Sequence, residues 1–398
     1  MPPKAPKTTL KKSKPEIKLK KPPVIFPSSQ AELKKISDIL ECPILAYFKP
    51  SGTSIWSKDL YAIWEALKHI GKVEKLAVYV RSDGGSGMIS LRIINLLRFF
   101  AKEIIILAPS ECASAATMLA LGCDEIYLGP LSSLSAVDSS LIHPLSPVDK
   151  QDNPVSVSQD ELWRVLRLWT EYEEQQGVAI KPSEVAEEDL QLGFKKTSGK
   201  SFDFMDTGKK ELLKDSETEN PYKYLYKYIH PLVFGAIDRS RSLSIQLCKE
   251  ILEYHMTDKT KIEYISQRLN NDYPSHSYPI TMKEAEKIGL NVKLISEEIQ
   301  DILNRLQLIY GEMTDEMITD YDNNSYHNQS VYSIIETGGV QVFYQYELDK
   351  FYRENEKRYI NLNDHSSWYK TFWQTKKVAT TKAKKGVEPE FTIEKIYF

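Results

Sequence analysis

Ser114 stands in a run of small residues, Cys112-Ala113-Ser114-Ala115-Ala116-Thr117, between an apolar segment at 104–107 and another at 117–121. The first apolar segment predicts a buried strand and the second a helix. A serine at such a strand-to-helix turn lies where a helix N-terminus favours negative charge. A second segment, Ser82-Asp83-Gly84-Gly85, follows the apolar run at 76–80. Paired glycines allow backbone N–H groups to face a ligand, because no Cβ blocks the approach. Side by side, the two segments make a nucleophile next to an oxyanion hole, the chemistry of a serine hydrolase. Each alone has a plainer explanation: Gly-Gly as a turn, Ser114 as a helix cap.

Order along the chain adds weight to the chemical interpretation. Strand, Gly-Gly, amphipathic helix (91–100), strand, Ala-Ser-Ala and helix are followed by Asp124-Glu125-Ile126-Tyr127-Leu128-Gly129-Pro130. This succession resembles the Clp-protease/crotonase superfamily, and within it the serine dehydrogenase proteinase (SDH) family, relatives of signal peptide peptidase A. Leu134-Ser135-Ala136-Val137-Asp138 looks like that family's Leu-Gly-Pro-Val-Asp element. His230-Pro231-Leu232 through Gly235 and Arg239 also fits, as does His276-Ser277-Tyr278-Pro279-Ile280 before Glu284-Ala285 and Gly289-Leu290. The resemblance covers roughly residues 40 to 310. It implies an α/β fold with a Clp-protease/crotonase-like ββα core and a serine endopeptidase activity. It also implies that the N–H groups of Gly85 and Ala115 hold the oxyanion while Ser114 forms an acyl-enzyme. Asp83 replaces a proline that often precedes the glycine pair, so a carboxylate stands near the expected oxyanion.

Ser114 needs a base, since an unassisted hydroxyl is a poor nucleophile at neutral pH. In Clp proteases a His follows the nucleophile at about the interval that here leads to Asp138, and an Asp precedes the later helix where this chain has His276. The two types are exchanged, so His276 would take the proton and Asp138 orient the imidazole. His143 lies four to five residues late for the same role and also fits a surface loop before Pro144. Signal peptide peptidase relatives use a lysine instead. The matching stretch, 161–176, holds Arg164 and Arg167 but no lysine. Arginine stays protonated in proteins and cannot serve as base. Lys150, in a polar loop, is the nearest lysine. His276 with Asp138 ranks first, His143 second, Lys150 third.

The remaining elements must position these groups. The chain has 398 residues and a net charge of −3, which argues against a nucleic-acid partner. Its four cysteines form no CxxC pair and no zinc spacing, as expected in a reducing, cytoplasmic setting. No cofactor is expected: there is no metal spacing and no Walker loop. No stretch of about 18 apolar residues predicts a membrane span. Residues 1–25 form a Lys- and Pro-rich tail expected to be disordered, without the apolar core of a secretory signal. A Clp/crotonase-like domain is expected over 26–315, with a predicted helix at 160–176, a charged insertion at 178–220 and a helix at 222–256. Residues 316–398 form a C-terminal extension with a β-hairpin, strands 331–335 and 340–344 around Thr337-Gly338-Gly339. Asp124-Glu125 is no metal pair, because neighbours on a strand point oppositely. The basic stretch 376–385 is expected to be mobile. A peptide or protein substrate and homo-oligomerisation follow from the resemblance. A crotonase-type acyl-CoA enzyme and a non-catalytic scaffold on the same fold stay open as alternatives.

Overall fold

The computed structural model describes residues 25–138, 140–141, 143–146, 155, 157–158, 230–322, 324–374 and 390–398. The expected tail, the lysine at 150, the predicted helix at 160–176, the insertion at 178–220 and the basic stretch at 376–385 lie outside these residues, apart from Ile25.

Chain order begins α1 (Phe26–Leu40), β1 (Ile44–Phe48), α2 (Asp59–Ile70), β2 (Val73–Arg81), α3 (Gly87–Phe100), β3 (Ala101–Ala108), β4 (Glu111–Cys112), α4 (Ala115–Leu121), β5 (Glu125–Leu128) and β6 (Ser133–Leu134). Strands β1, β2, β3 and β5 run parallel in adjacent positions. Both faces of these strands are covered, which is why they read as unbroken apolar runs. Alternation divides their side chains between two cores. Leu45, Tyr47, Val78, Val80, Ile104 and Ile106 pack with α2, α3 and α4. Ile44, Ala46, Phe48, Ala77, Tyr79, Ile105 and Leu107 form the other cluster with α1 and a later helix, Glu297–Thr314. In α3, Ile89, Ile93, Ile94, Leu97 and Phe100 are buried at helical spacing. All seven residues of α4 are buried. A helix apolar on every side belongs inside the fold, so α4 carries its N-terminal turn, and Ser114, into the interior.

Residues 139–243 form a unit of their own, of which few are described. Its strands β7 (Ser140–Leu141) and β8 (Val157–Ser158) pair antiparallel. Helix α5 is described over Pro231–Leu252, within the 222–256 expected, of which 222–229 lie outside the described residues. Then follow α6 (Lys259–Asn271), α7 (Met282–Lys287), β9 (Val292–Leu294), α8 (Glu297–Thr314), β10 (Met317–Asp320), β11 (Ser325–Thr337), β12 (Val340–Arg353), β13 (Arg358–Asp364), β14 (Ser367–Trp373) and β15 (Phe391–Ile396).

The hairpin of the C-terminal extension is much longer than its apolar stretches predicted. Its strand β11 pairs directly with β1, antiparallel, and extends the parallel strands into one sheet of eleven, β15-β14-β12-β11-β1-β2-β3-β5-β9 with β10 and β13 attached. The class is mixed α/β, as expected. Polar residues Asn328, Gln329 and Ser330 are buried within β11, so the apolar pattern ends before the strand does. Among the described residues no helix is long and apolar enough to cross a membrane.

What positions the site lies beyond the carboxyl ends of the parallel strands, where ligands of α/β sheets commonly bind. There each strand is followed by a short second segment, and these segments pair: Ile55 with Gly85, Ser82 with Cys112, β4 with β6, and Leu134 with Ile280. This small second layer strings Gly84–Gly85, Ser114, Asp138 and His276 along one edge of the fold.

Candidate active site

Ser114 follows β4 by two residues and occupies the N-cap of α4 with φ +52° and ψ −118°. An L-residue with positive φ away from the ordinary left-handed well is strained, by about 1–3 kcal/mol, and persists only where its surroundings impose it. Ser114 makes no side-chain capping bond to the helix. The plain helix-cap explanation therefore does not apply, and the hydroxyl is not engaged by the N–H groups it precedes. Among the described residues, no side chain is hydrogen-bonded to Ser114 Oγ.

Three buried hydroxyls impose the turn. Ser135 Oγ accepts from the Ser114 N–H at 2.7 Å, and Ser135's own N–H donates to Thr117 Oγ1 at 3.0 Å. Thr117 Oγ1 donates to Cys112 O at 2.8 Å, and Ser90 Oγ on α3 donates to Ala115 O at 2.7 Å. Ser90, Thr117 and Ser135 were not singled out from sequence as positioning groups. Their signal there is faint: single hydroxyl residues within apolar segments, where an unpaired polar group would be costly.

The glycine pair meets this turn closely. A Cβ on Gly84 would stand 2.6 Å from Ser114 Cβ and 3.1 Å from its Oγ. A Cβ on Gly85 would stand 2.3 Å from Ile55 N. Both have positive φ, +112° and +141°, which side-chain-bearing residues rarely adopt. The Ile55–Gly85 bridge uses the carbonyl of Gly84, accepting from Ile55 N at 2.8 Å, and the N–H of Ser86, donating to Ile55 O at 3.1 Å. That pattern leaves the Gly85 N–H outside the ladder. The Ala115 N–H is likewise one of the first, unpaired donors of its helix.

Asp83 is turned away from the expected oxyanion. Its carboxylate accepts from Gly52 N at 3.1 Å and pairs with Arg81 at 3.2 Å. It ties down the loop after β1.

Asp138 and His276 come together. Nδ1 of His276 lies 3.0 Å from Oδ1 of Asp138. Their two segments meet at a bridge in which Leu134 and Ile280 exchange both backbone bonds. The bridge brings the two segments side by side, and His276 stands in the turn closed by the Tyr278 N–H donating to Ser275 O at 3.0 Å. With the carboxylate accepting, Nδ1 carries the proton and Nε2 keeps its lone pair. The hydrogen bond to Asp138 raises the His276 pKa above its ordinary value, against the opposing effect of burial. The imidazole is about half exposed, 48%.

The other candidates behave differently. His143 belongs to the 139–243 unit and closes its own turn, its N–H donating to Ser146 Oγ at 3.0 Å and its Nδ1 accepting from Leu145 N at 3.1 Å. Asp124 pairs with Arg98 at 2.8 Å and Glu125 pairs with Lys293, so each acidic residue has its own cation. Burial pushes the Cys112 thiol, two residues before Ser114, up to about 12, which leaves it un-ionised at neutral pH. His230 Nδ1 accepts from Leu232 N at the start of α5.

Among the solved structures that resemble the chain are two variants of one protease. One is a serine-to-alanine variant of the 1510-N membrane-bound stomatin-specific protease, with TM-score 0.32 and 12% identity, covering 68% of this chain and 89% of that one. The other is a lysine-to-alanine variant of that protease in complex with a substrate peptide, with TM-score 0.30 and 14% identity, covering 67% and 77%. No family model and no curated protein matches the sequence. His276 is the described candidate base that is held by a carboxylate.

Proposed function

We propose that this chain is a serine peptidase of the Clp/crotonase type, akin to the SDH proteinases, acting on peptide or protein substrates. The observation that carries the assignment is the strained, uncapped Ser114 on the N-terminus of α4, pressed against a glycine pair whose second N–H is outside the ladder. In the proposed reaction Ser114 Oγ attacks the peptide carbonyl as its proton passes to His276 Nε2. The developing oxyanion is held by the Gly85 and Ala115 N–H groups and by the positive end of α4. Asp138 keeps the imidazole in the required tautomer and stabilises its protonated form. Collapse expels the amine, which takes the proton from His276 and leaves an ester on Ser114. Water, deprotonated by the same imidazole, then releases the acid. Closure of His276 onto Ser114 accompanies substrate binding, since catalytic hydrogen bonds are often open in the free enzyme.

The test is fluorophosphonate labelling of the purified chain, located by mass spectrometry, with Ser114→Ala, His276→Ala and His143→Ala alongside. Modification at Ser114 that disappears in His276→Ala, with the fold intact, is the expected result. Loss in His143→Ala alone would transfer the role of base. No modification at any assembly state would leave a scaffold on this fold, and CoA-dependent turnover that survives Ser114→Ala would point to acyl-CoA chemistry.

A further inference from the structure

Asp59 opens α2 with no accessible surface, and it is surrounded by donors. Its Oδ2 accepts from Tyr47 OH at 2.6 Å and from the Trp56 backbone N–H at 3.1 Å. Its Oδ1 accepts from Ser333 Oγ at 3.0 Å. Lys49 Nζ, itself only 1% exposed, lies 3.3 Å from Oδ2 and 3.4 Å from Oδ1. Burying a carboxylate and an ammonium together is costly, and their attraction offsets the lost hydration only with good geometry and extra hydrogen bonds. A fold that keeps such a pair in its core uses it to specify a conformation or merely tolerates it, and its contacts here discriminate between the two.

Side chains supply three of the four donor groups on Asp59. The fourth is the backbone of Trp56, the residue after Ile55. Ile55 is the segment that bridges Gly85, and Gly85 has no side chain because Ile55 N occupies that space. On its other side the same loop is tied down separately. Asp83 accepts from Gly52 N, Arg81 donates to Ser51 Oγ at 2.7 Å, and Arg81 donates to Lys49 O at 2.6 Å. Ile55 is thus strung between two carboxylate anchors, Asp83 upstream and Asp59 downstream. Backbone contact this close transmits any displacement of Ile55 directly to the Gly85 peptide.

We propose that Asp59, neutralised by Lys49, is a positioning residue of the oxyanion pocket: by accepting the Trp56 N–H it fixes Ile55 against Gly84–Gly85 and aims the Gly85 N–H at the carbonyl attacked by Ser114. The proposal rests on Ser114 being the nucleophile. Asp59 touches no reacting atom. It acts through Trp56 and Ile55, and Lys49 serves to keep its charge compensated in the interior.

Two double variants separate this role from plain stabilisation. Lys49→Met with Asp59→Asn removes both charges but keeps an acceptor for Trp56 N–H. Lys49→Met with Asp59→Leu removes the acceptor as well. For the leucine pair the rate constant of Ser114 phosphonylation by a fluorophosphonate should fall about ten- to a hundredfold, with probe affinity unchanged, as expected for a donor displaced by an ångström or less. The asparagine pair should stay within about threefold of the parent, following the same argument. In both, the His276-dependent pH profile should stay where it is. Equal rates in the two pairs, or equal losses tracking melting temperature, would overturn the proposal. Hydrogen exchange on the unmodified protein provides a second arm independent of labelling. The Trp56 amide should be strongly protected, and peptides covering 52–57 and 82–87 should exchange faster in the leucine pair while those of α3 do not. A Trp56 amide exchanging like an open loop would overturn the anchoring even if the leucine pair failed to fold. Absence of Ser114 labelling in the parent would instead remove the catalytic assignment and leave the exchange arm to judge the anchor alone.

Discussion

Gly84 and Ser114 occupy adjoining space so closely that a methyl group on one would overlap the other: a Cβ at Gly84 falls 2.6 Å from Ser114 Cβ and 2.9 Å from Ala113 O. The second neighbour is backbone and cannot rotate away. Gly84→Ala must therefore displace the Ser114 turn, in addition to forcing alanine to φ +112°. Phosphonylation of Ser114 should fall by about a hundredfold or more. Cooperative unfolding should persist with about 1–3 kcal/mol lost, the ordinary scale for a backbone misfit. Labelling at the parent rate, with circular dichroism unchanged, would show that the contact does not matter to the nucleophile.

Asp138→Asn tests the base. Asp138 raises the pKa of His276, and only the neutral imidazole can accept the Ser114 proton. The acid limb of the labelling rate against pH should accordingly lie above the ordinary histidine value of about 6.5 in the parent and move down in the variant. The plateau should also drop, by a hundredfold or more if an amide at residue 138 favours the wrong tautomer, as in serine-protease triads. For stability the sign is separate. A histidine whose folded pKa is raised contributes below its unfolded pKa and loses that contribution as pH rises through the folded value. The variant should thus be less stable than the parent at pH 5 and close to it at pH 8. An unmoved acid limb would show that His276 is not the titrating base.

Ser135→Ala removes the acceptor of the Ser114 N–H without touching the hydroxyl proposed to react. The cost in stability should be about 1–3 kcal/mol, the penalty for a buried donor left unpaired. The labelling rate should fall about tenfold through a loosened turn, with no shift in its pH profile. A pH shift would instead place Ser135 in the proton path.

Much of the geometry of this candidate site was legible in the sequence, and the reasons are physical. Gly84 and Gly85 are required by close backbone approach, and a small-residue run is required where α4 enters the core. Asp138 and His276 were paired by motif position, and the antiparallel bridge of Leu134 with Ile280 brings their two segments side by side. What could not be read were partnerships between residues distant in sequence. From sequence Asp83 can either oppose the oxyanion or point to solvent, and neither reading contains its bonds to Gly52 and Arg81. Nothing local predicts that Lys49 and Asp59 are both buried, or that Ser333, near the far end of the chain, completes their cluster. The extension was legible as a hairpin but not as a continuation of the main sheet, because pairing of β11 with β1 depends on register across nearly 300 residues of chain.

Glu336 sits in that same hairpin and supplies a prediction about the whole fold. It is fully buried, and its carboxylate accepts from Ser29 Oγ at 2.6 Å, Gln30 Nε2 at 2.7 Å, Tyr310 OH at 2.9 Å and Gln341 Nε2 at 2.6 Å. Burial raises its pKa from 4.5 to about 7 in spite of these four donors, which favour the charged form. A carboxyl that holds its proton more tightly folded than unfolded makes stability fall as pH rises between those two values and level off above the higher one. At about 1.4 kcal/mol per unit, the decline across this window is at most about 3 kcal/mol. Glu336→Gln removes the titration. It also places an amide among donors, so the variant should be less stable near pH 8, where the parent carboxylate satisfies all four. Urea unfolding of parent and variant between pH 4.5 and 8, compared as differences, cancels the contribution of His276. The parent should lose stability relative to the variant from pH 4.5 to 7, and a difference independent of pH would show that Glu336 does not titrate in the folded protein.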